Sequence, residues 1–182
     1  FGSVRKQADA DRVKTSLGEH FTPLLFDVTD VPAIEAGVGE VETAVGTNGL
    51  YALVNNSGIS GSAPLMHVPM TEVRQLFEVN VFGLLAVTQA FLPLRGARKN
   101  SPCPPGRIVN ISSIQGMVGP SFELYAGTDM GTPPPDYFFH KGGMLNLTRF
   151  YASLFGRHGV RVNTVSPGGF FHIQPAPFLT RY

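Results

Sequence analysis

Arg107-Ile108-Val109-Asn110-Ile111-Ser112-Ser113 reads as a short strand, apolar for most of its length, that ends in two hydroxyls. Three further runs share its character: Leu24–Val28, Leu50–Asn55 and Val160–Ser166. None alternates strictly between apolar and polar residues, so each suits a strand buried on both faces of a parallel sheet. Phe1–Val4 looks like the end of another strand. Helical segments lie between the runs. Asp30 can cap a helix that accepts Pro32 in its first turn, with a body from Ala33 to Val45 weakened by Gly37 and Gly39. A second helix is predicted over Met70–Leu92 with Thr71 as its cap, because Val73, Leu76, Phe77, Val81, Leu84, Leu85 and Thr88 recur at helical spacing. A third begins at Tyr137 or Lys141, runs to Arg157 and stops at His158-Gly159. The Pro-rich stretches 101–105 and 132–136 read as loops. Strands alternating with helices make a βαβ series, hence an α/β fold with a doubly wound parallel sheet and helices on both faces.

A chain of 182 residues suffices for one domain with its own core. At 43% hydrophobic and 15% charged, its composition is that of a globular protein. A net charge of +1 gives no electrostatic reason to expect a nucleic acid or an anionic membrane as partner. No uninterrupted apolar run approaches the roughly 20 residues that span a bilayer. The single cysteine, Cys103, rules out an intrachain disulfide, and a reducing, cytoplasmic setting is expected. The five histidines (20, 67, 140, 158 and 172) show no metal-ligand spacing, so no metal site is expected. Arg95, Arg98 and Lys99 suit the C-terminal end of their helix.

The chemistry gathers at Tyr137-Phe138-Phe139-His140-Lys141. Residues four apart on a helix share a face, so the phenol and the ammonium can enter one cleft. A free phenol is a poor base near neutral pH, and a cation held beside one favours the phenolate. Such a pair can exchange a proton with a carbonyl or alcohol oxygen. The spacing alone is loose and is more often met by an accidental surface pair. Context decides otherwise, because ligands bind beyond the carboxyl ends of strands in open α/β sheets, where Ser112 or Ser113 is delivered. A hydroxyl there can stabilise charge on the reacting oxygen, or simply cap a turn. Leu53-Val54-Asn55-Asn56-Ser57-Gly58 likewise leaves a strand for a turn, and Gly58 permits close approach of a ligand. Asn80, within the apolar Glu78-Val79-Asn80-Val81-Phe82-Gly83, is either a structural bridge or part of a polar relay.

In chain order, Asn55-Asn56-Ser57-Gly58, Val79-Asn80, Asn110–Ser113, Tyr137–Lys141 and Asn163–Gly169 resemble the motifs of the short-chain dehydrogenase/reductase family. The resemblance covers essentially the whole chain and implies a single Rossmann-like, dinucleotide-binding catalytic domain over residues 1–182. It makes Tyr137 the general acid/base, with Lys141 assisting its proton transfer and binding the nicotinamide ribose. Ser113, followed by Ile114-Gln115-Gly116, matches the serine that orients the carbonyl. Asn80 matches the residue that holds a water on the path from Lys141 to solvent. Asp27 and Val28 match the pair at the adenine, although Asp27 serves equally well as a turn former. Asn55 and Gly58 match the cofactor floor, and Pro167 and Gly168 the loop beside the nicotinamide. Arg5 and Lys6 stand where an acidic residue would read the 2′-hydroxyl of NAD; a cation there suits the 2′-phosphate of NADP, with NAD as the alternative.

Two departures bear on function. No glycine-rich phosphate loop is present, so the first βα unit and the last strand of the fold are expected to lie outside these residues. The stretch between Ser113 and Tyr137 is longer than the family's usual loop and contains a second tyrosine, Tyr125. Its i+4 partner is Asp129, where the chemistry needs a cation. Gln115, Phe170 and His172, together with Ser113 and Tyr137, are the substrate-contact candidates. His172 stands where the family often has Thr. The loop and the segment after Pro167-Gly168 resemble those of gluconate 5-dehydrogenase-like and sugar-modifying reductases, implying a sugar, sugar acid or polyol substrate. The alternatives are a steroid or acyl-thioester reductase and a non-catalytic, dinucleotide-binding regulatory member. Helices 70–92 and 141–157 resemble those that pair between subunits in the family, implying a homodimer or homotetramer.

Overall fold

The computed structural model describes residues 1–61, 65–95, 105–131 and 134–182. Among the described residues five strands carry the fold: β1 (Gly2–Val4), β2 (Pro23–Leu25), β3 (Ala52–Asn55), β4 (Arg107–Ile111) and β5 (Arg161–Val165). Helices α1 (Gln7–Leu17) and α2 (Val31–Val45) follow the first two strands. A long helical stretch follows β3, α5 (Pro135–Gly156) precedes β5, and α6 (Ala176–Arg181) comes last. Asp30 caps α2 as its sequence position implies, its Oδ1 accepting from the Ala33 N–H at 3.1 Å, with Pro32 in the first turn.

The strands pair in parallel, β1 with β2 and β3–β4–β5 in that order, with Leu53, Ile108 and Val162 in register. These are two sheets where the sequence leads one to expect a single continuous one. Among the described residues no strand joins β1 to β3. Their facing edges border a cavity of about 240 Å³ lined by Gly2, Ser3, Ala52, Leu53 and Val54. Burial on both strand faces is a second expectation that fails. Leu24, Leu53, Ile108 and Val162 turn into a core shared with α2, α5 and the helix over Leu84–Phe91, whereas Val54 and Val165 remain about half exposed. Ile34 and Ile108 are fully enclosed in that core, a burial that contributes roughly 1.5–3 kcal/mol for each such side chain.

The second helix also differs from its prediction. Thr71 is not its cap; Pro69 takes that position without a side-chain hydrogen bond, and Thr71 lies inside α3 (Met70–Phe77). Between α3 and α4 (Leu84–Phe91) the helix widens into a π-helical turn, Glu78–Gly83. Met70–Leu94 is long and apolar enough by composition to cross a membrane; in this fold its α4 portion packs on α2 and β3. Of the Pro-rich stretches, Pro135 and Asp136 belong to α5 rather than to a loop. Cys103, the remainder of 101–104, Arg98 and Lys99 lie outside the described residues, as do the side-chain contacts of Arg95.

A buried polar string crosses the strands. Asn55 Nδ2 donates to Thr88 Oγ1 and Asn110 Oδ1, and Asn110 Nδ2 donates to Thr148 Oγ1, each at 2.9 Å. Thr164 Oγ1 donates to Thr148 Oγ1 at 2.8 Å. The string ties β3, β4 and β5 to α4 and α5 and leaves the amides at Asn55 and Asn110 satisfied.

Candidate active site

β4 ends at Ile111, so the next two residues turn out at the carboxyl edge of the sheet. Ser112 Oγ donates to the Lys141 carbonyl at 2.9 Å and fastens the strand end to α5. Ser113 Oγ accepts the Gln115 N–H at 3.1 Å. The hydroxyl therefore shapes a turn and still has its own hydrogen to donate. On α5, Lys141 Nζ lies 5.5 Å from the centre of the Tyr137 ring and donates to the Ile111 carbonyl at 2.7 Å. Burial pushes the Lys141 ammonium below its ordinary pKa, because a desolvated cation is disfavoured. The π-helical turn brings in Asn80, whose Oδ1 accepts the Ile59 N–H at 2.8 Å and whose Nδ2 donates to the Ile59 carbonyl at 2.7 Å. Such turns recur at functional sites.

Asn80, Ser113, Tyr137, Lys141, Pro167 and Gly168 all line one cavity of about 350 Å³, together with Asn56, Gly58 and Ile59. It continues on either side. Toward β1, Gly58 and Ile59 are shared with a cavity of about 310 Å³ bordered by Arg5, Arg12, Asp27 and Val28. Outward, Ser113, Tyr137 and Gly168 are shared with one of about 480 Å³ that Gln115, Tyr125, Met130, Phe178 and Tyr182 help enclose. The groove thus runs across the strand ends, where open α/β sheets hold their ligands.

Asp27 is the turn former its position allows, and it borders the groove. Its Oδ1 accepts from the Thr29 N–H and hydroxyl at 3.0 and 2.8 Å, closing a turn at the groove wall. The Thr29 N–H bond holds its carboxyl below the usual carboxylate range; desolvation opposes this, while the Thr29 hydroxyl and Arg5 assist. Three expected residues lie elsewhere. Asn55 sits in the buried string and borders the inner cavity between the two sheets, leaving Asn56 and Gly58 on the groove. Phe170 is 86% exposed, and it and His172 border none of the three groove cavities. The outer wall is instead a row of rings, Tyr125–Phe178–Tyr182, with centroids 5.4 and 5.6 Å apart. Tyr182 Oη accepts the Gly169 N–H, and Arg181 donates to the Ala126 carbonyl. These α6 contacts and Arg12 carried no sequence signal, because they depend on chain segments meeting across the fold. Among the described residues no cluster of three His, Cys, Asp or Glu could hold a metal.

A proton donor, an orienting hydroxyl and a desolvated cation in one cavity can deliver a proton to a carbonyl oxygen. The profile of the short chain dehydrogenase family matches residues 3–171. The chain belongs to this family. It is 43% identical over 118 residues to the NADPH-dependent 3-dehydrocapnine reductase of Ornithobacterium rhinotracheale, covering 65% of this chain and 41% of that protein. It is 35% identical over 147 residues to the gluconate 5-dehydrogenase of Gluconobacter oxydans, covering 80% and 50% respectively. The chain therefore spans half or less of the length of these two relatives. Among solved structures, a short chain dehydrogenase of Leptospira borgpetersenii serovar Hardjo-bovis with bound NAD+ superposes with a TM-score of 0.80 at 25% identity. That match covers 99% of this chain and 65% of the other. ElxO with NADP bound gives 0.74 at 26% identity, covering 91% and 61%. The α/β fold with its parallel strands is that of these family members.

Proposed function

We propose that the protein is an NAD(P)-dependent oxidoreductase that interconverts a secondary alcohol and a ketone. One observation carries this reading: Asn80, Ser113, Tyr137 and Lys141 converge on a single cavity at the strand ends. In reduction the Tyr137 phenol gives its proton to the carbonyl oxygen, and in oxidation the phenolate form takes one from the alcohol. Ser113 donates its hydroxyl hydrogen to the same oxygen and offsets the charge that develops there. Lys141, pinned through one N–H to Ile111, keeps two further N–H bonds for a ribose and the phenol.

The groove fits a dinucleotide. Gly58 lets the floor turn lie close against Asn80, since a Cβ there would stand 3.1 Å from Asn80 Oδ1. Arg5 and Arg12 border the cavity at the adenosine end, where cations suit a 2′-phosphate, so NADP is the proposed cofactor and NAD the alternative. When bound, the nicotinamide supplies or accepts the hydride, and the protein supplies position and proton.

For the substrate, Ser60 and Gln115 on the outer cavity suit a sugar, sugar acid or polyol. A second reading, a ketone with an apolar flank, is favoured by the ring wall of Tyr125, Phe178 and Tyr182. A homodimer or homotetramer in the cytoplasm completes the proposal. A screen of sugar acids, polyols and apolar ketones, followed by NADPH and NADH absorbance, tests it. Turnover with at least one class, and faster with NADPH than with NADH, is expected. Absence of turnover with every class would overturn the enzymatic reading.

A further inference from the structure

His140 stands between Tyr137 and Lys141 in the sequence and has no part in the chemistry described above. Its side chain is 3% exposed. Nε2 lies 3.0 Å from Asn80 Nδ2, and Nδ1 lies 2.9 Å from the Asp136 carbonyl oxygen. An amide NH₂ only donates and a carbonyl only accepts, so both contacts are satisfied by one form alone: neutral imidazole with its hydrogen on Nδ1. With that form, both Asn80 Nδ2 hydrogens are used, one on the Ile59 carbonyl and one on His140. The ring also stands edge-on to Tyr137, centroids 5.0 Å apart at 80°.

We propose that His140 is a positioning residue: as a neutral acceptor it locks the Asn80 amide, and through it joins the cofactor-floor turn at Gly58–Ile59 to the helix bearing Tyr137 and Lys141. The role rests on the dinucleotide-binding reading of that groove. Burial, the largest influence, pushes the ring down to about 4; the Asp136 carbonyl contact opposes this and Lys141 adds to it. Among the described residues, the titratable groups that act on or touch the ring are Lys141, Tyr137 and Asp136, all on α5; the Asp136 carboxylate is buried without a hydrogen-bond partner and its charge also opposes the shift. The facing helix presents Phe77, Val81, Leu84 and Leu85 to the groove beside it. The neutral form therefore persists through the physiological range.

Two substitutions separate the two ends of the ring. His140→Gln places an amide oxygen near the Nε2 position and keeps the Asn80 contact. His140→Asn reaches only the Nδ1 position and leaves an Asn80 N–H unpaired. His140→Asn is expected to weaken NADPH binding about tenfold and to speed hydrogen exchange at the Ile59 amide, whereas His140→Gln stays within about twofold on both. Nitrogen NMR of the histidine rings, with His140→Gln to assign the signal, is expected to show Nδ1–H, bare Nε2 and no titration between pH 5 and 8. An Nε2–H tautomer, or a midpoint near the ordinary 6.5, would overturn the proposal. So would equal Ile59 exchange in the two variants. Should the unaltered protein bind no dinucleotide, the proposed function fails, while the tautomer and the Ile59 exchange still decide the role of His140.

Discussion

A neutral histidine buried beside Asn80 makes stability depend on pH. Its folded value of about 4 lies below the ordinary 6.5, so between these limits the unfolded chain binds more protons than the folded one. Stability therefore rises with pH across this window and falls as the medium is acidified from about 6.5 to about 4, by about 3 kcal/mol in all. Urea midpoints at pH 7 and pH 4.5 check this: His140→Gln should lose markedly less than the unaltered protein, and equal losses would contradict the assignment. Much at this scale was legible from the chain alone. Tyr137, Lys141, Ser113, Asn80, Gly58, Pro167 and Gly168 were picked out by type, spacing and motif, and they line a common cavity. Asn55 shows where such reading stops. It shares a motif with Gly58, but strand alternation turns its side chain inward to Thr88 and Asn110, and alternation at a strand's last residue is not visible in a motif.

The decisive junction between elements is the turn after β4 against α5. A Cβ on Gly116 would stand 2.6 Å from the Lys141 carbonyl carbon and oxygen, so this glycine allows the turn to lie on the helix backbone. Gly116→Ala is expected to cost about 1–3 kcal/mol and to lower activity by shifting Lys141. Gly119→Ala is the matched control, since nothing lies within 4 Å of a Cβ there. Melting temperatures and turnover of the pair test this, and equal values would refute it. Caps and strand cores were readable because their signals are local: Asp30 with Pro32, or the apolar run of Arg107–Ile111. The π-helical turn at Glu78–Gly83 was not, since the apolar spacing of Val73 to Thr88 fits a regular helix equally well. What it presents, Asn80 bonded to Ile59 and His140, involves partners 21 and 60 residues away.

For the molecule as a whole, the α/β class followed from the order of apolar runs and helices, whereas the division into two sheets did not. β1 pairs with β2 and β3 with β4, and no periodicity within the strands records which edges stay unpaired. Exposed rings on the long helices, Phe82, Phe139 and Phe150 at 53%, 69% and 59%, are the apolar surface expected to pair with a second copy. Sedimentation at micromolar concentration should show a dimer or tetramer, and a monomer would count against that assembly. We propose that the cavity joining Asn80, Ser113, Tyr137 and Lys141 performs proton transfer during alcohol–ketone interconversion. The most direct measurement is turnover and NADPH affinity of Tyr137→Phe on a substrate the unaltered protein accepts. Turnover should fall by about a hundredfold or more with affinity nearly unchanged; near-normal turnover would contradict the account.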